Sequence, residues 1–323
     1  METFGWCFIG TGKLAGQVAR QLAGTQHKIV SCYTRNFENA KVFAQSVGAK
    51  AYEEAADAIT APGVDGVYVV TPHNAHFRFA KLALQLGKPV LCEKSFTVTA
   101  QETKELMDLS REKGVYLAEA MWTWFSPAAN QAKAWVDSGA IGDVTGADFT
   151  YHMISRYGGR TVDPRRAGGA LLNVTVYPIT YAYRLFGYPE TIEATGVIAG
   201  GVDQSEEIDL TFPGGIRCHI SASAVDKKGF ERMTIRGSRG AIKAPLYHAL
   251  NRVTLRKGIF GRKVFKGPGG IFNSYVTEFD IAAREIREGR IESQMVPLQA
   301  TYDVMKIMDT IRGQIGLEYP DLE

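Results

Sequence analysis

A glycine-rich segment near the start of the chain has the spacing of a phosphate-binding turn. It reads Gly10-Thr11-Gly12-Lys13-Leu14-Ala15, which fits the pattern G-x-G-x-x-A, and it lies between a strand-like run and a helix-like run. In this pattern the first glycine permits a tight turn, the second leaves room for a pyrophosphate beside the backbone, and the alanine lets helix and strand pack closely. Free N–H groups at the start of the helix then face the phosphates. The segment therefore predicts a dinucleotide site formed by Gly10, Thr11, Gly12, Lys13 and Leu14.

The residues after the second strand-like run indicate which dinucleotide binds. Sites for NAD usually carry Asp or Glu there, which accepts hydrogen bonds from the adenosine ribose. This chain has Thr34, Arg35 and Asn36 instead, with no carboxylate before Glu38. Thr34 and Arg35 could bind a 2′-phosphate, and a guanidinium can also stack on adenine. The alternative is that Asn36 caps the next helix and Arg35 is solvated. We interpret the segment as favouring NADP, with NAD as the second candidate cofactor.

Lys94 follows another strand-like run, at the edge where ligands of doubly wound α/β folds collect. Its ammonium group could orient a substrate oxygen and stabilise developing alkoxide charge, or exchange the proton itself if burial disfavoured the charged form. On position alone, a lysine at the end of a strand is more often solvated. The motif around it, described below, favours the catalytic interpretation.

Asn173 and Tyr177 are four residues apart, so on a helix both side chains project from one face. Tyr177 is a candidate acid or base for interconverting an alcohol and a carbonyl. Because an unperturbed phenol titrates near ~10, it would need a neighbouring cation such as Lys94. Asn173 cannot relay a proton, but it can position a substrate hydroxyl by donating and accepting hydrogen bonds. The alternative for Tyr177 is a place in the core or in an interface.

The periodicity of the chain predicts the elements that hold these residues. In the first 120 residues, strand-like runs at 4–9, 28–33, 66–71, 89–92 and 115–117 alternate with helix-like stretches at 13–23, 37–47, 75–86 and 100–113. This alternation predicts an N-terminal Rossmann domain, a doubly wound parallel sheet at residues 1–121.

The pattern changes beyond residue 121. Helix-like stretches at 127–138, 171–186, 275–288 and 298–314 surround a strand-like run at 144–153 and several alternating runs between 191 and 243. We predict an α+β domain at residues 122–323 with a mainly antiparallel open sheet, which binds substrate and forms a dimer.

Composition and charge exclude several classes of protein. The 323 residues include 37 basic and 34 acidic side chains, a net charge of +3, and no charged block or apolar run typical of nucleic-acid or membrane binding. A basic cluster, Arg252, Lys257, Arg262, Lys263 and Lys266, is interpreted as a solvated loop rather than a phosphate or partner site. The four cysteines form no C-x-x-C pair, which indicates buried thiols, no metal site and a reducing cytoplasm.

Three segments resemble the glucose–fructose oxidoreductase/inositol dehydrogenase family. They are Thr71-Pro72-His73-Asn74-Ala75-His76, the stretch at 87–94 that ends in Glu93-Lys94, and the stretch at 168–177 that ends in Tyr177. Within the family, the sequence most resembles the dimeric dihydrodiol dehydrogenases. The resemblance covers residues 4 to about 190, and beyond that it concerns the architecture alone.

The resemblance implies roles for further residues. It places Thr71, Pro72, His76 and Glu93 near the cofactor, with Pro72 shaping the backbone at the nicotinamide and Glu93 contacting its ribose. Taken alone, Glu93 could be an ion-pair partner and His76 a capping residue. The remaining candidates for a substrate pocket are Trp122, Trp124, Phe125, Tyr151, His152 and Arg156, of which the first three could instead be packing residues. A homodimer through the C-terminal sheet is also implied.

Three departures from the family pattern leave two hypotheses open. Ser95 replaces a usual proline, Asn173 a usual aspartate, and Trp124 a common arginine. The first hypothesis is an NAD(P)-dependent oxidoreductase that moves a hydride between NADP(H) and a hydroxyl or carbonyl carbon of a sugar, polyol or dihydrodiol-like substrate. The alternative is a cofactor-binding sensor or regulatory protein of the same fold without turnover.

Overall fold

The structure, a computed structural model, describes residues 2–154, 160–258, 261–267 and 271–319. The chain divides into two compact units, each made of two segments. The first unit comprises Met1–Trp122 and Phe272–Tyr302, and the second comprises Thr123–Ile271 and Asp303–Glu323. The predicted second domain was one continuous segment, whereas here residues 272–302 join the first unit.

Six parallel strands form the sheet of the first unit. They are β1 Phe4–Ile9, β2 His27–Tyr33, β3 Lys50–Ala51, β4 Gly66–Val69, β5 Val90–Glu93 and β6 Leu117–Ala120, in the order β3-β2-β1-β4-β5-β6. The connecting helices are α1 Lys13–Leu22, α2 Phe37–Val47, α3 Ala55–Ile59, α4 His76–Gln85 and α5 Ala100–Lys113. The prediction of a doubly wound Rossmann fold is confirmed. β3 and α3 were not predicted because two and five residues are too few to show a periodicity.

Capping residues fix the ends of these helices. Asn36 caps α2 by accepting a hydrogen bond from the backbone N–H of Asn39. Thr99 and Glu102 form a reciprocal capping box at the start of α5. α5 is followed by Gly114, whose left-handed conformation suits a residue without a side chain. Local sequence thus sets the start of α2 and both ends of α5.

The segment at 272–302 completes an aromatic core in the first unit. Phe279, on α8 Ile271–Arg287, is fully buried, and its ring lies 4.8 Å from Trp6, 4.9 Å from Tyr68 and 6.2 Å from Phe8, centroid to centroid. These three partners lie on β1 and β4. Because α8 supplies this contact from a distant part of the chain, the first unit is discontinuous in sequence.

Eight strands form the sheet of the second unit. They are β7 Val144–Ile154, β8 Thr191–Ala199, β9 Val202–Phe212, β10 Ile216–Asp226, β11 Phe230–Gly237, β12 Gly240–Pro245, β13 Arg252–Lys257 and β14 Gly261–Lys266, in the order β14-β13-β12-β11-β7-β10-β9-β8. All the described pairings are antiparallel except that of β7 with β10. The predicted α+β architecture with a mainly antiparallel sheet is confirmed. The helices here include α6 Pro127–Asp137 and α7 Val176–Phe186, and α9 Leu298–Ile315 continues into this unit.

The basic cluster is a hairpin, and its prediction as a loop was wrong. Arg252 and Lys257 are the end residues of β13, and Arg262, Lys263 and Lys266 lie on β14, which pairs with β13. The glycines around the cluster suggested a loop, but the alternation of Val253 and Leu255, both buried, supports a strand. Among the described residues, no helix combines the length and apolar composition needed to cross a bilayer.

Candidate active site

The carboxyl ends of three strands in the first unit bring together most of the predicted cofactor residues. β1 pairs with β4 and β4 with β5, all in parallel, so the residues that follow them lie along one edge of the sheet. Gly10 follows β1, Thr71 lies just beyond β4, and Lys94 follows β5. β1 and β4 flank the point where the strand order reverses, which is where doubly wound folds bind their ligands.

The two glycines of the fingerprint have different geometry. Gly10 has a φ of +107°, and a Cβ there would lie 2.6 Å from the carbonyl oxygen of Val70. Gly12 is the N-cap of α1, and a Cβ there would meet no described atom within 4 Å. Open space beside Gly12 and the N–H groups of the first turn of α1, at Lys13 and Leu14, fit a pyrophosphate.

The residues that follow β2 fit both interpretations that the sequence left open, a 2′-phosphate site and a helix cap. Thr34 is half-buried and Arg35 is exposed. Asn36 caps α2, as the structural alternative expected. An exposed guanidinium can still reach a phosphate on the surface, so the cap does not argue against a 2′-phosphate site at Thr34 and Arg35.

Thr71 carries a buried hydroxyl that has no hydrogen-bond partner among the described residues. A buried hydroxyl without a partner is costly unless a ligand satisfies it. Pro72, the next residue, is half-buried and precedes a short 3₁₀ turn at His73–Ala75. The orphaned hydroxyl, at the edge that also carries Gly10, fits a bound dinucleotide.

His76 holds two backbone segments together. Nε2 lies 2.9 Å from the carbonyl oxygen of Thr71, and Nδ1 lies 2.9 Å from that of Ser95. Burial lowers the pKa of His76 to about 4, so the ring is neutral near pH 7 and donates through one nitrogen at a time. Full burial and these two contacts indicate that His76 positions the backbone at Thr71 and Ser95. Its contact with the cofactor stays a prediction.

Glu93 and Lys94 end β5 at the same edge. Glu93 is buried and accepts a hydrogen bond of 2.5 Å from the hydroxyl of Tyr68. Lys94 is half-buried, and the peptide bond between Lys94 and Ser95 is cis. Beside the larger effect of burial, the positive charge of Lys94 acts to lower the pKa of both His76 and Glu119.

Two further buried carboxyl groups, those of Glu119 and Glu278, interact electrostatically with Glu93. Burial raises the pKa of Glu119 to about 7. The negative charge of Glu93 adds to this rise, and a hydrogen bond from Thr301 opposes it. Burial also raises the pKa of Glu278, with Glu93 and Glu119 adding to the effect. Neither residue was predicted, because each lies in a stretch whose pattern indicated only a strand or a helix.

The second unit presents Asn173 and Tyr177. A continuous helix was predicted over 171–186, but its first turn, Leu171–Thr175, is π-helical and α7 begins at Val176. The side-chain amide of Asn173 donates to the carbonyl oxygen of Gly169 at 2.7 Å. One N–H of the Asn173 amide group is therefore used in a hydrogen bond to the backbone. The π-helical turn is a feature common near functional sites.

A buried pair of carboxyl groups supports this turn. Asp203 accepts a hydrogen bond from the N–H of Leu171 at 2.5 Å, and Glu206 accepts one from the hydroxyl of Thr175. Burial raises the pKa of both groups, and for Glu206 the neighbouring Asp203 raises it further. The pair lies on β9, about 30 residues from the turn, so no local signal in the sequence pointed to it.

The predicted pocket residues Tyr151 and His152 lie on opposite faces of β7. Tyr151 lies 6.0 Å from Tyr177, ring centroid to ring centroid, as expected. His152 points to the opposite face of β7, where its Nε2 lies 2.9 Å from the hydroxyl of Ser221, because successive strand residues alternate. The expectation that His152 lines the same pocket was therefore wrong. Arg156 lies outside the described residues.

The aromatic residues at 122–125 are buried in packing contacts. Trp122 lies 6.0 Å from Tyr275 in the first unit, ring centroid to ring centroid. In the second unit, the guanidinium of Arg184 lies over Trp124, 4.8 Å from the ring centroid. Phe125 is also buried. These contacts support the packing alternative that the sequence left open.

The fold and the sheet edge define the class: an oxidoreductase with a dinucleotide-binding Rossmann domain. Residues 4–121 match a family described as an oxidoreductase family with an NAD-binding Rossmann fold, and residues 129–243 match the GFO/IDH/MocA C-terminal domain. A D-xylose 1-dehydrogenase (NADP(+)) of Hypocrea jecorina is 31% identical, over 99% of this chain and 94% of its own length. Trans-1,2-dihydrobenzene-1,2-diol dehydrogenases of Mus musculus and Homo sapiens are each 29% identical, over 98% of both chains.

The chain therefore belongs to the GFO/IDH/MocA oxidoreductase family, and it is an NAD(P)-dependent oxidoreductase acting on CH–OH groups. The resemblance stated from the sequence is confirmed. Solved structures share its fold. A 3-ketoreductase from Actinomadura kijaniata with NADP and TDP-benzene has a TM-score of 0.86 at 21% identity, covering 97% of this chain and 98% of that one. A levoglucosan dehydrogenase with NADH and L-sorbose has a TM-score of 0.87 at 19% identity, covering 98% and 97%.

Proposed function

We propose that this protein transfers a hydride between NADP(H) and a hydroxyl or carbonyl carbon of a sugar, polyol or dihydrodiol-like substrate. The observation that carries the proposal is the edge of the parallel sheet, where the Gly10–Gly12 turn, the orphaned hydroxyl of Thr71 and Lys94 occur together. The relatives named above act on a pentose and on dihydrodiols, which supports this substrate class.

The first unit would hold the cofactor. The N–H groups of Lys13 and Leu14 would bind the pyrophosphate beside Gly12, Thr71 and Pro72 would contact the nicotinamide end, and Glu93 would bind the nicotinamide ribose. When bound, the nicotinamide supplies the hydride chemistry. Lys94 would orient the substrate oxygen and stabilise its negative charge as it develops.

The second unit would supply the proton and part of the substrate contacts. Tyr177 would give its phenol proton to the carbonyl oxygen during reduction and accept one from the hydroxyl during oxidation. Asn173 would accept a hydrogen bond from a neighbouring substrate hydroxyl. Its amide group is also bonded to Gly169, so substrate binding and the π-helical turn would depend on each other.

NADP would be preferred over NAD because Thr34 and Arg35 stand where a ribose-binding carboxylate would otherwise be. Titration of the purified protein with NADPH and NADH, followed by nicotinamide fluorescence, tests this preference. Arg35→Ala should weaken NADPH binding about tenfold, the loss of one charge-assisted contact to phosphate, while NADH binding stays within about twofold.

Lys104→Ala is the matched control for Arg35→Ala, since Lys104 is an exposed cation of the same unit, on α5, paired with Asp108. The control should leave both affinities unchanged. Equal loss of NADPH affinity in the two variants, or NADH binding tighter than NADPH in the wild type, would contradict the assignment of Thr34 and Arg35.

A measurement of turnover distinguishes the enzyme hypothesis from the alternative, a cofactor-dependent sensor. The alternative is favoured by one observation: Trp124, which replaces a common arginine, is buried against Arg184. Aldoses, polyols and trans-dihydrodiols would be tested with NADP⁺, and the matching carbonyls with NADPH. Turnover that is lost in both Lys94→Ala and Tyr177→Phe supports the enzyme. Tight NADPH binding with no turnover of any of these classes supports the sensor.

A homodimer through the open face of the eight-stranded sheet remains part of the proposal. In the described strands that face carries ion pairs, of His219 with Glu207 and Asp209 and of Arg236 with Asp148. It also carries the exposed apolar side chains of Val197 and Phe230. Sedimentation of the wild type and of Arg236→Glu would show whether this face holds two copies together. A cytoplasmic location also stays a prediction.

A further inference from the structure

Three side chains from separate elements form a cluster with Tyr177 in the second unit. Tyr151 lies on β7 and Glu231 on β11, and the antiparallel ladder between these strands places them directly opposite each other. His248 follows β12 in a short 3₁₀ turn at Tyr247–Ala249. Tyr177 lies on α7. Neither Glu231 nor His248 was singled out in the sequence.

Glu231 holds His248 through two hydrogen bonds. Its Oε1 accepts from the backbone N–H of His248 at 2.5 Å, and its Oε2 lies 2.5 Å from Nδ1 of the imidazole. The side chain of Glu231 is only 3% exposed, whereas that of His248 is 20% exposed. Because the carboxylate keeps the proton on Nδ1, the lone pair of the neutral ring is on Nε2. The imidazole is thus fixed in orientation while one part of it remains open to water.

The ring of His248 is packed between two phenols. It stacks on Tyr151 with centroids 4.7 Å apart and planes 13° apart, and its centroid lies 5.9 Å from that of Tyr177. The turn that presents it begins at Leu246, which has a φ of +50° and an exposed side chain. A left-handed conformation in a leucine is uncommon and recurs at functional segments. The backbone therefore accepts an unfavourable conformation where it places His248.

The neighbouring phenols remain neutral near pH 7. Burial, with Glu231 adding to it, raises the pKa of Tyr151 and of Tyr247 above the ordinary range. Burial also raises the pKa of Tyr181, against the opposing charge of Arg184 and with a contribution from Glu231. The other ionisable side chains of this cluster are Glu231 and His248.

We propose that Glu231 and His248 are positioning residues that hold the phenol of Tyr177 and carry its proton to and from solvent. This inference rests on the proposed function, in which Tyr177 exchanges a proton with the substrate oxygen. After Tyr177 gives its proton to that oxygen, Nε2–H of the protonated imidazole gives one to the phenolate. The Nε2 lone pair of the ring, now neutral, then takes a proton from a hydronium ion of the solvent, which becomes water. Oxidation runs the same transfers in reverse.

A nuclear magnetic resonance experiment on the full chain tests the pair without substrate or cofactor. Tyrosine is labelled with ¹³C at Cζ, and the Tyr177 resonance is assigned from Tyr177→Phe. Between pH 5 and 9, the wild-type resonance should show an inflection that disappears in His248→Asn and shifts in Glu231→Gln. An unchanged inflection in both variants, or none in the wild type, overturns the inference even if the enzyme turns over.

Kinetics then tests the consequence for turnover. His248→Asn should lower kcat about tenfold or more, as expected for loss of a proton-transfer partner, and alter the pH profile of kcat while NADPH affinity stays unchanged. His219→Asn is the matched control, because His219 is also paired with carboxylates but lies on the open face of the sheet. A pH profile for His248→Asn that matches that of His219→Asn overturns the inference.

The two tests also separate this inference from the proposed function. If no substrate class is turned over, the proposed function fails, while the Tyr177 resonance still reports on Glu231 and His248. Should Glu231→Gln fail to fold because its carboxylate is buried, His248→Gln, at a side chain that is 20% exposed, provides the second variant for both measurements.

Discussion

Gly10 and Gly12 are two residues apart, yet an added methyl group would meet different surroundings at each. At Gly10 the backbone has a positive φ and the methyl group would strike the carbonyl of Val70. At Gly12 the φ is −75° and the space is open. The fold requires a glycine at residue 10, whereas at residue 12 only the proposed approach of a pyrophosphate would require one.

These two glycines give a paired prediction. Gly10→Ala should lower the free energy of unfolding by about 2 kcal/mol or more, through backbone strain and overlap. Gly12→Ala should leave it within about 1 kcal/mol, but weaken NADPH binding at least about tenfold because the methyl group occupies the phosphate space. Urea denaturation and fluorescence titration measure the two quantities. Unchanged NADPH affinity in Gly12→Ala would contradict the phosphate site.

Among single residues, His76 shows that a motif can be located from the sequence without revealing which segments its side chain joins. The sequence placed it at the start of a helix near the cofactor edge, and the structure agrees. Its two contacts, to Thr71 and Ser95, join segments that follow different strands. Such a contact depends on the pairing of β4 with β5 and is invisible in a six-residue motif.

At the scale of elements, the π-helical turn before α7 depends on β9. Asp203 accepts the N–H of Leu171 at the start of the turn, and Glu206 accepts the hydroxyl of Thr175 at its end. Gly169, with a φ of +112°, packs so closely that a Cβ there would overlap the carboxyl group of Asp203. The acid pair therefore sets the conformation from which Asn173 and Tyr177 project.

Asp203→Ala should therefore destabilise the protein and impair turnover together. It would leave the buried N–H of Leu171 without an acceptor, which costs about 1–3 kcal/mol, and it would loosen the turn that carries Asn173. Asp209→Ala, on the same strand but with its side chain 71% exposed, should stay within about 0.5 kcal/mol of the wild type. Urea unfolding and kcat provide the comparison, and equal stability of the two variants would refute the supporting role.

At the scale of the whole molecule, the buried carboxyl groups make stability depend on pH. The folded chain raises the pKa of Glu119 from 4.5 to about 7. Between these values the folded state holds a proton that the unfolded state has released, so rising pH destabilises the folded state across this window and has no further effect above it. Glu278 acts in the same direction, since its pKa is also raised.

Glu119→Gln should flatten part of this pH dependence. Near pH 5 the variant and the wild type should have similar Tm values, because both side chains are neutral. Near pH 8 the variant should be the more stable, by up to about 3 kcal/mol, because the wild type must ionise a buried group. Thermal unfolding across this range measures the effect, with the exposed Glu112→Gln as control. A pH dependence that is the same in Glu119→Gln and Glu112→Gln would exclude Glu119 as its source.

The sequence predicted the features whose causes are local. The turn at Gly10–Gly12, the cap at Asn36 and the alternation of strands with helices each arise within a few residues, through backbone conformation, hydrogen bonding and side-chain period. Family motifs added Lys94, Asn173 and Tyr177 as candidate site residues, and their roles stay predictions. The fold class and the oxidoreductase family followed from such signals.

Only the tertiary structure decided which distant residues meet. Phe279 completes the core of the first unit, Asp203 supports the turn at Leu171, and Glu231 faces Tyr151 across two strands. These partners are separated by roughly 30 to 270 positions, and their contacts depend on strand order and register rather than on local preference. Glu231 and His248 belong to no periodic pattern or motif in the sequence. The pairing of β7 with β11 and the turn after β12 bring them together beside Tyr177.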